Sequence, residues 1–281
     1  MNAPPIRRWL VDAAERIDAA LGPARVQRVV LPPIAENPGK EGEFCAVQLD
    51  DGSVGLAFVL LDGTLAALHG RRPSGAEHGI TAMSLVRGYA AAELPSRALG
   101  LATINALARR LYDRAGFVPD DANDSFGSLA LARGDRLGMV GHFTPLIQQA
   151  RALGIPVTVL ELRPELVREE PGLSVTLYAK RLSACNKIVS TSTLLLNDNI
   201  EQVRALWPGA DAVASVGPSA GCPPDPLFAA GVSSVGTAWV DDAETFLARL
   251  AAGEKWGTSS RKVTLTRQSY PGLDALLRRA G

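Results

Sequence analysis

The sequence has no excess of charge of either sign, because 29 lysines and arginines offset 29 aspartates and glutamates. Such a chain has no global field to hold nucleic acid or an anionic membrane surface. Histidine and cysteine are scarce, at three residues each, and no cluster of them has the spacing of a structural zinc site. We therefore expect a small, locally recognised ligand, with neither nucleic acid nor membrane as a partner.

The cysteines are odd in number and far apart, at Cys45, Cys185 and Cys222, and no C-x-x-C pair is present. This pattern predicts three free thiols in a reducing compartment. Charged side chains interrupt the first 17 residues, which leaves no apolar core for a signal peptide. No charge-free apolar run reaches transmembrane length. These absences predict a cytoplasmic protein.

Two common nucleotide-binding signatures are missing as well. No G-x-G-x-x-G follows the first strand predicted for the second half of the chain, and no G-x-x-x-x-G-K occurs. An ordinary dehydrogenase or a phosphate-loop nucleotidase is therefore disfavoured.

The residues that are present predict two domains, because 281 residues with 47% hydrophobic content can bury two cores. Apolar residues from 9 to 21 recur at helical spacing and stop at Gly22. Apolar runs at residues 44–49 and 54–61 flank Asp50-Asp51-Gly52 and predict a β-hairpin, and the second run alternates as a half-buried strand would.

A second predicted helix, capped by Ser96 and ending at Gly116, completes an α+β domain over residues 1–130. The stretch 118–136 is rich in Asp, Asn, Gly and Ser and places the boundary near residue 130. Beyond it, helical segments alternate with apolar runs at residues 137–140, 157–160, 187–190, 212–216 and 234–238. Runs without polar alternation are typical of a parallel sheet covered by helices. We therefore predict an α/β domain over residues 131–281.

Ligands of such sheets lie beyond the carboxyl ends of the strands, so the residues that follow each apolar run form the candidate site. Thr144 and Pro145 suit the cap and first position of a helix whose free N–H groups favour an anion. We expect the glycines to let a ligand approach the backbone and the polar side chains to orient it. The candidate ligand-binding residues are Gly141, His142, Phe143, Thr144, Glu161, Thr191, Ser192, Thr193, Asn197, Gly217, Pro218 and Ser219.

The candidate metal ligands are His142, Glu161 and Cys222. His142 can ligate a metal or move a proton near neutral pH, or it can be a packed residue. Glu161 can hold a metal or a ribose-type hydroxyl, or it can be a salt-bridged strand end. Cys222 is either a soft metal ligand or a small buried hydrophobic residue.

The other polar candidates also have structural alternatives. Asn197 can bind the ligand through its amide or cap a following helix, in which Ile200, Val203 and Leu206 keep helical spacing. Hydroxyls at the strand ends can bind an anion or bond to the local backbone, and these belong to Ser192, Thr193 and Ser219. Asn105, inside an apolar helix, is expected to support the structure between the domains.

Several ordered motifs cover most of the chain. They are ALGLATINAL at residues 98–107, VGHFTPL at 140–146, VLEL at 159–162, LLLN at 194–197 and VGPS at 216–219, with Gly231 and Gly236. In this order and at these intervals they resemble the heavy-metal chelation family, whose members join an enolase-N-terminal-like domain to a Rossmann-like domain. The resemblance implies that fold, and a transition metal or a metal chelate as the ligand.

Three positions depart from the family pattern. Thr191-Ser192-Thr193 stands where the family often has Thr-Gly-Thr, and Asp198-Asn199 replaces the usual Gly-Thr after the asparagine. Gly-Pro-Ser is followed by Ala220-Gly221-Cys222-Pro223, where the family more commonly has Thr-Pro. These departures leave open a ligand different from that of other members.

Three hypotheses of function follow. The leading one is a cytoplasmic protein that binds a heavy metal or a metal-chelating small molecule in the crevice of the Rossmann-like domain. The alternative is an enzyme that modifies a small metabolite in metallophore or cofactor synthesis, with His142 and Glu161 as acid and base. The third is a scaffold with a vestigial site. Turnover, the identity of the ligand and assembly into homo-oligomers all stay open at this point.

Overall fold

The computed structural model describes residues 5–35, 43–71, 78–122, 124, 126–197, 207 and 209–281. The described helices are α1 (Ile6–Leu21), α2 (Thr64–Arg71), α3 (Ala82–Val86), α4 (Leu94–Arg114), α5 (Thr144–Ala152), α6 (Asp225–Ala229), α7 (Ala243–Ala252) and α8 (Leu273–Ala280). The described strands are β1 (Val26–Val30), β2 (Phe44–Leu49), β3 (Val54–Phe58), β4 (Asp120–Asp121), β5 (Leu137–Val140), β6 (Val157–Leu160), β7 (Arg168–Glu170), β8 (Leu173–Thr176), β9 (Lys187–Thr191), β10 (Ala212–Val216), β11 (Ser234–Val240) and β12 (Ser260–Thr266).

Both helices predicted for the first half are present. α1 ends at Gly22, whose φ of 82° favours glycine, as predicted. α4 begins at Leu94, because Pro95 lies in its first turn, where a missing N–H costs nothing. Glu93 is the cap residue and makes no side-chain capping bond. The prediction that Ser96 caps this helix is therefore wrong.

The predicted hairpin is confirmed, and it forms a three-stranded antiparallel sheet in the order β1-β2-β3. Its turn uses Gly52 at a φ of 91° and a bond from the Ser53 N–H to the Asp51 carboxylate of 3.0 Å. The second strand ends at Phe58, before the predicted residue 61.

The expectation that the second strand of the hairpin is half-buried is wrong, because helices cover both faces of β3. On one face a Cβ at Gly55 would lie 2.1 Å from the Ala102 carbonyl oxygen, so glycine is what lets α4 approach this closely. On the other face Val54 and Leu56 share a core cluster with Phe246 of α7. Sequence alternation fails as a guide to exposure here, since the second cover comes from a distant part of the chain.

The second half forms one sheet of nine strands, in the order β4-β12-β11-β10-β9-β5-β6-β8-β7. The six strands from β11 to β8 in that order pair in parallel. The pairs β4-β12, β12-β11 and β8-β7 at its ends are antiparallel. The five apolar runs of the sequence correspond to β5, β6, β9, β10 and β11. The predicted α/β fold with a mainly parallel sheet is therefore confirmed.

The two halves share packing and pairing. Residues of α1 and α4 belong to the same core cluster as Leu227 of α6, Val235 of β11 and Leu276 of α8. β4 lies before residue 130 in the chain and pairs with β12. The domain boundary near residue 130 stays a prediction.

All three cysteines are buried and free, in agreement with the prediction of free thiols. Among the described helices, none combines the length and apolar character needed to cross a membrane.

Candidate functional site

Three of the predicted segments meet at the carboxyl edge of the large sheet. Gly141 follows β5 and packs against Thr191 at the end of β9. Gly217 follows β10 and packs against Ser192. The parallel order β10-β9-β5 brings these chain segments together, as the topology of the sheet predicts.

The two glycines accommodate the protein's own side chains. A Cβ at Gly141 would lie 3.3 Å from the Thr191 Cγ2, and one at Gly217 would lie 2.4 Å from the Ser192 Oγ. Their φ angles of 90° and 136° also favour glycine. The expectation that these glycines exist for close approach of a ligand is therefore not needed to explain them.

Thr144 is the first residue of α5, and the cap position belongs to Phe143, which makes no side-chain capping bond. The prediction that Thr144 caps this helix is wrong, and Pro145, predicted at the first position, lies at the second, still within the first turn. The first-turn N–H groups of an uncapped helix have no intrahelical partner and are available to a ligand at this edge.

His142 lies between two polar neighbours. Its Nε2 is 3.3 Å from an Arg168 guanidinium nitrogen, and its Nδ1 is 3.5 Å from the Thr144 Oγ1. Because a guanidinium only donates, the contact requires a lone pair on Nε2 and hence the ring proton on Nδ1. Partial burial and then the Arg168 charge lower the pKa of His142 from its ordinary value, so the neutral ring is favoured.

Arg168 was not among the residues predicted from the sequence. It begins β7, which runs antiparallel to β8 and pairs Arg168 with Val175 near the carboxyl end of β8. This register places Arg168 at the carboxyl edge and within reach of His142, which follows β5. The run Arg168–Glu170 has no apolar pattern, so the sequence offers no signal for this strand.

Glu161 follows β6, where it was predicted, and is buried. One carboxylate oxygen accepts the N–H groups of Leu162 and Arg163 at 2.8 and 3.3 Å, and the other lies 3.2 Å from the Arg163 guanidinium. Burial raises the pKa of Glu161, but the bonds from Arg163 and the Leu162 N–H outweigh it and lower the value. Glu161 is therefore an ion-paired carboxylate, the structural alternative for this residue.

The hydroxyls after β9 are occupied locally. Thr191 Oγ1 donates to Thr193 Oγ1 at 2.9 Å and accepts from the Thr193 N–H at 3.2 Å. These two threonines fold the turn that follows the strand, which is the alternative role for such hydroxyls.

Ser219 connects the turn after β10 to the small sheet. It is fully buried, and its Oγ accepts the N–H of Phe58 at 3.0 Å. The neighbouring Asn105 amide donates to the carbonyls of Leu56 at 2.7 Å and Ser219 at 2.9 Å. Pro218 belongs to the same turn and accepts from Thr237 through its carbonyl at 3.5 Å. The structural role expected of Asn105 is thus confirmed.

Asn197 lies apart from the other candidates. It borders a cavity of about 440 Å³ between α1 and the turn at Arg87–Ala90. The lining of that cavity contains none of the other predicted ligand-binding residues. The predicted helix with Ile200, Val203 and Leu206, and the departure at Asn199, fall outside the described residues.

Two family models match the chain, and both are described as "Putative heavy-metal chelation". One, DUF364, covers residues 124–268, and the other, DUF4213, covers residues 42–108. The first match spans more than half of the chain. The chain belongs to the DUF364 family.

Two solved structures of DUF364 proteins of unknown function share the fold. The one from Pyrococcus horikoshii has 15% identity and a TM-score of 0.66, and covers 92% of this chain and 99% of its own. The one from Desulfitobacterium hafniense DCB-2 has 20% identity and a TM-score of 0.66, and covers 92% of this chain and 100% of its own. No curated protein matches.

The three predicted metal ligands of this DUF364 protein do not form a site for a bare heavy-metal ion. Cys222 is fully buried in the core, and burial raises the pKa of its thiol to about 12, which favours its alternative role as a small buried hydrophobic residue. His142 offers its Nε2 lone pair to Arg168, and both oxygens of Glu161 are engaged. Within the described part of the chain, no group of three or more His, Cys, Asp or Glu side chains is arranged to hold a metal ion.

Proposed function

We propose that this protein binds a small-molecule chelate of a heavy metal at the carboxyl edge of its large sheet, in the cytoplasm. The observation that carries the proposal is the convergence of the segments after β5, β9 and β10 at one edge, in a member of a family described by heavy-metal chelation. Ligands of open α/β sheets bind at this edge. The chelator supplies the ligands of the metal, since the part of the chain that the structure describes contains no set of three or more metal-ligating side chains.

The groups that face this edge suit a small polar molecule. The uncapped first turn of α5 presents backbone N–H groups, and Thr144 and His142 lie beside it. Glu161 and Arg163 border the same edge after β6. We propose that these residues, with Phe143 and Thr191, line the binding site.

Acid and base roles for His142 and Glu161 receive less support. A general base needs an available lone pair, and that of His142 Nε2 already accepts from Arg168. Glu161 is stabilised as a carboxylate by three donors, which disfavours it as an acid at neutral pH.

The test is binding of defined metal chelates. The purified protein is analysed for metal content and for small molecules released on denaturation, and is then titrated calorimetrically with Ni²⁺ complexes of citrate, nitrilotriacetate and phenanthroline. We expect saturable binding of at least one complex, weakened in His142→Gln and unchanged in His78→Gln, a matched control at an exposed site.

Two results would overturn the proposal. The first is a protein that carries no metal or small molecule and binds none of the three complexes. The second is equal weakening of binding in both histidine variants, because it would place the ligand away from the sheet edge.

A further inference from the structure

The charges around His142 carry an inference about the ligand that rests on the proposed function. Guanidinium groups outnumber carboxylates in this cluster. Arg163 pairs with Glu161 at 3.2 Å, and Arg168 lies 2.9 Å from Glu170, whose other oxygen pairs with Arg151 in the last turn of α5, away from His142. Of the charged groups that act on His142, Arg168 and Arg163 are positive and Glu161 is negative, which leaves an excess of one positive charge there.

Helix α5, which begins beside this cluster, adds further positive potential. α5 directs its amino terminus to the carboxyl edge, and the first turn of a helix carries a partial positive charge. The backbone of that turn is uncapped by any side chain. The field at His142 is therefore unfavourable for a cation, and it accounts in part for the neutral ring.

Arg163 has donors to spare. Its side chain is 59% exposed, and one guanidinium nitrogen is used on Glu161. Among the described residues, no protein group accepts a hydrogen bond from its other two guanidinium nitrogens. A planar guanidinium with free N–H groups matches the two oxygens of a carboxylate.

We propose that this site recognises the carboxylate groups of an anionic metal chelator, through hydrogen bonds from Arg163 and the first-turn N–H groups of α5 and through the positive charge of Arg168. The three guanidinium nitrogens of Arg168 already donate to Glu170, Leu166 and His142. The metal enters already coordinated and is held by its chelator. The family description then agrees with the side chains present, because a small molecule chelates the metal and the protein binds the resulting chelate. Arg163 and Arg168 determine specificity by selecting negative charge.

The experiment compares wild type with Arg163→Gln, Arg168→Gln, Arg168→Lys and Arg133→Gln. Arg133 is exposed and precedes β5, so Arg133→Gln removes one positive charge at the opposite edge of the sheet and is the matched control. The probes are Ni²⁺–citrate, which is anionic, Ni²⁺–phenanthroline, which is cationic, citrate alone and NiCl₂. Melting curves of each variant show that it is folded.

We expect Ni²⁺–citrate to bind wild type with an affinity that falls as salt rises, and citrate alone to bind at the same site. Loss of one guanidinium should weaken binding by about 10-fold or more, whereas Arg133→Gln should change it by less than about 2-fold. Arg168→Lys should keep part of the affinity, since it keeps the charge and loses the hydrogen bonds that fix the charged group beside His142.

The failures are distinguishable. If no chelate binds wild type, the proposed function fails and the inference falls with it. If Ni²⁺–phenanthroline binds as tightly as Ni²⁺–citrate, or if Arg163→Gln and Arg168→Gln match Arg133→Gln, the anion inference alone is wrong. Tight binding of NiCl₂ that is lost in His142→Gln would also overturn it, because the protein would then ligate the metal directly.

Discussion

Replacing Asn105 by alanine should destabilise the fold through the open edge of the small sheet. β3 is an edge strand, and its outward backbone groups are satisfied by side chains from other elements. The Asn105 amide donates to the carbonyls of Leu56 and Ser219, while the Ser219 hydroxyl accepts the N–H of Phe58. Asn105 acts here only as a donor, since its Oδ1 has no partner.

The magnitude follows from these contacts. Asn105→Ala leaves two buried carbonyls without this donor, and each unsatisfied group costs about 1–3 kcal/mol. The free energy of unfolding should therefore fall by roughly 2–6 kcal/mol if both carbonyls stay dry. At about 2–4 °C per kcal/mol for a chain of this size, the melting temperature should drop by about 4–24 °C.

The assay is thermal and urea unfolding of Asn105→Ala and Asn105→Asp, with Thr103→Val as the control. Thr103 is equally buried in α4, but its hydroxyl bonds to Leu99 within the same helix. Asn105→Asp keeps the size of the side chain and loses the donors, so it should be at least as unstable as the alanine variant. If the melting temperature of Asn105→Ala lay within about 2 °C of that of Thr103→Val, the two hydrogen bonds of the Asn105 amide would not stabilise the fold as argued.

Three further predictions concern single groups. NMR should give His142 a pKa below the ordinary 6.5, and this pKa should rise in Arg168→Gln. The stability that this histidine contributes is then present above pH 6.5 and is lost as the pH falls toward the pKa of His142 in the folded protein. An unchanged pKa in Arg168→Gln would contradict the contact between the two side chains. Cys222 in the native protein should resist iodoacetamide at pH 8, because burial raises the pKa of its thiol to about 12. All three thiols should react after denaturation. Rapid labelling of Cys222 in the native protein would contradict this prediction. Gly217→Ala should lower the free energy of unfolding by about 1–3 kcal/mol, because φ 136° and ψ 158° at this residue suit only glycine. Gly209→Ala, the control, should be neutral because there is open space around Gly209. Equal melting temperatures of the two variants would show that the backbone at Gly217 is unstrained.

Much of the architecture was predictable because it depends on local patterns. Apolar runs marked the five central strands of the large sheet, and Gly22 marked the end of α1. The convergence of Gly141, Thr191 and Gly217 followed from strand order alone, since carboxyl ends of parallel strands share an edge. These features need no knowledge of distant contacts.

The parts that could not be predicted depend on contacts between distant segments. Arg168 reaches His142 only because a short polar strand runs antiparallel at the sheet edge. Cys222 is removed from the candidate site because the turn at Pro218–Ala220 leads the chain into the core. Ser219 bonds to Phe58, far away in sequence, and no local pattern carries that information.

The position of α7 over the small sheet has a consequence for synthesis on the ribosome. β1, β2, β3 and α4 emerge early, but the face with Ala46, Val54 and Leu56 is covered only when Phe246 and Leu247 follow. About 185 residues separate the end of β3 from the start of α7, which corresponds to roughly 10 to 40 seconds of translation at 5–20 residues per second. During that interval Ala46, Val54 and Leu56 lack the cover of α7, so this face of the sheet reaches its native burial only after α7 has been synthesised.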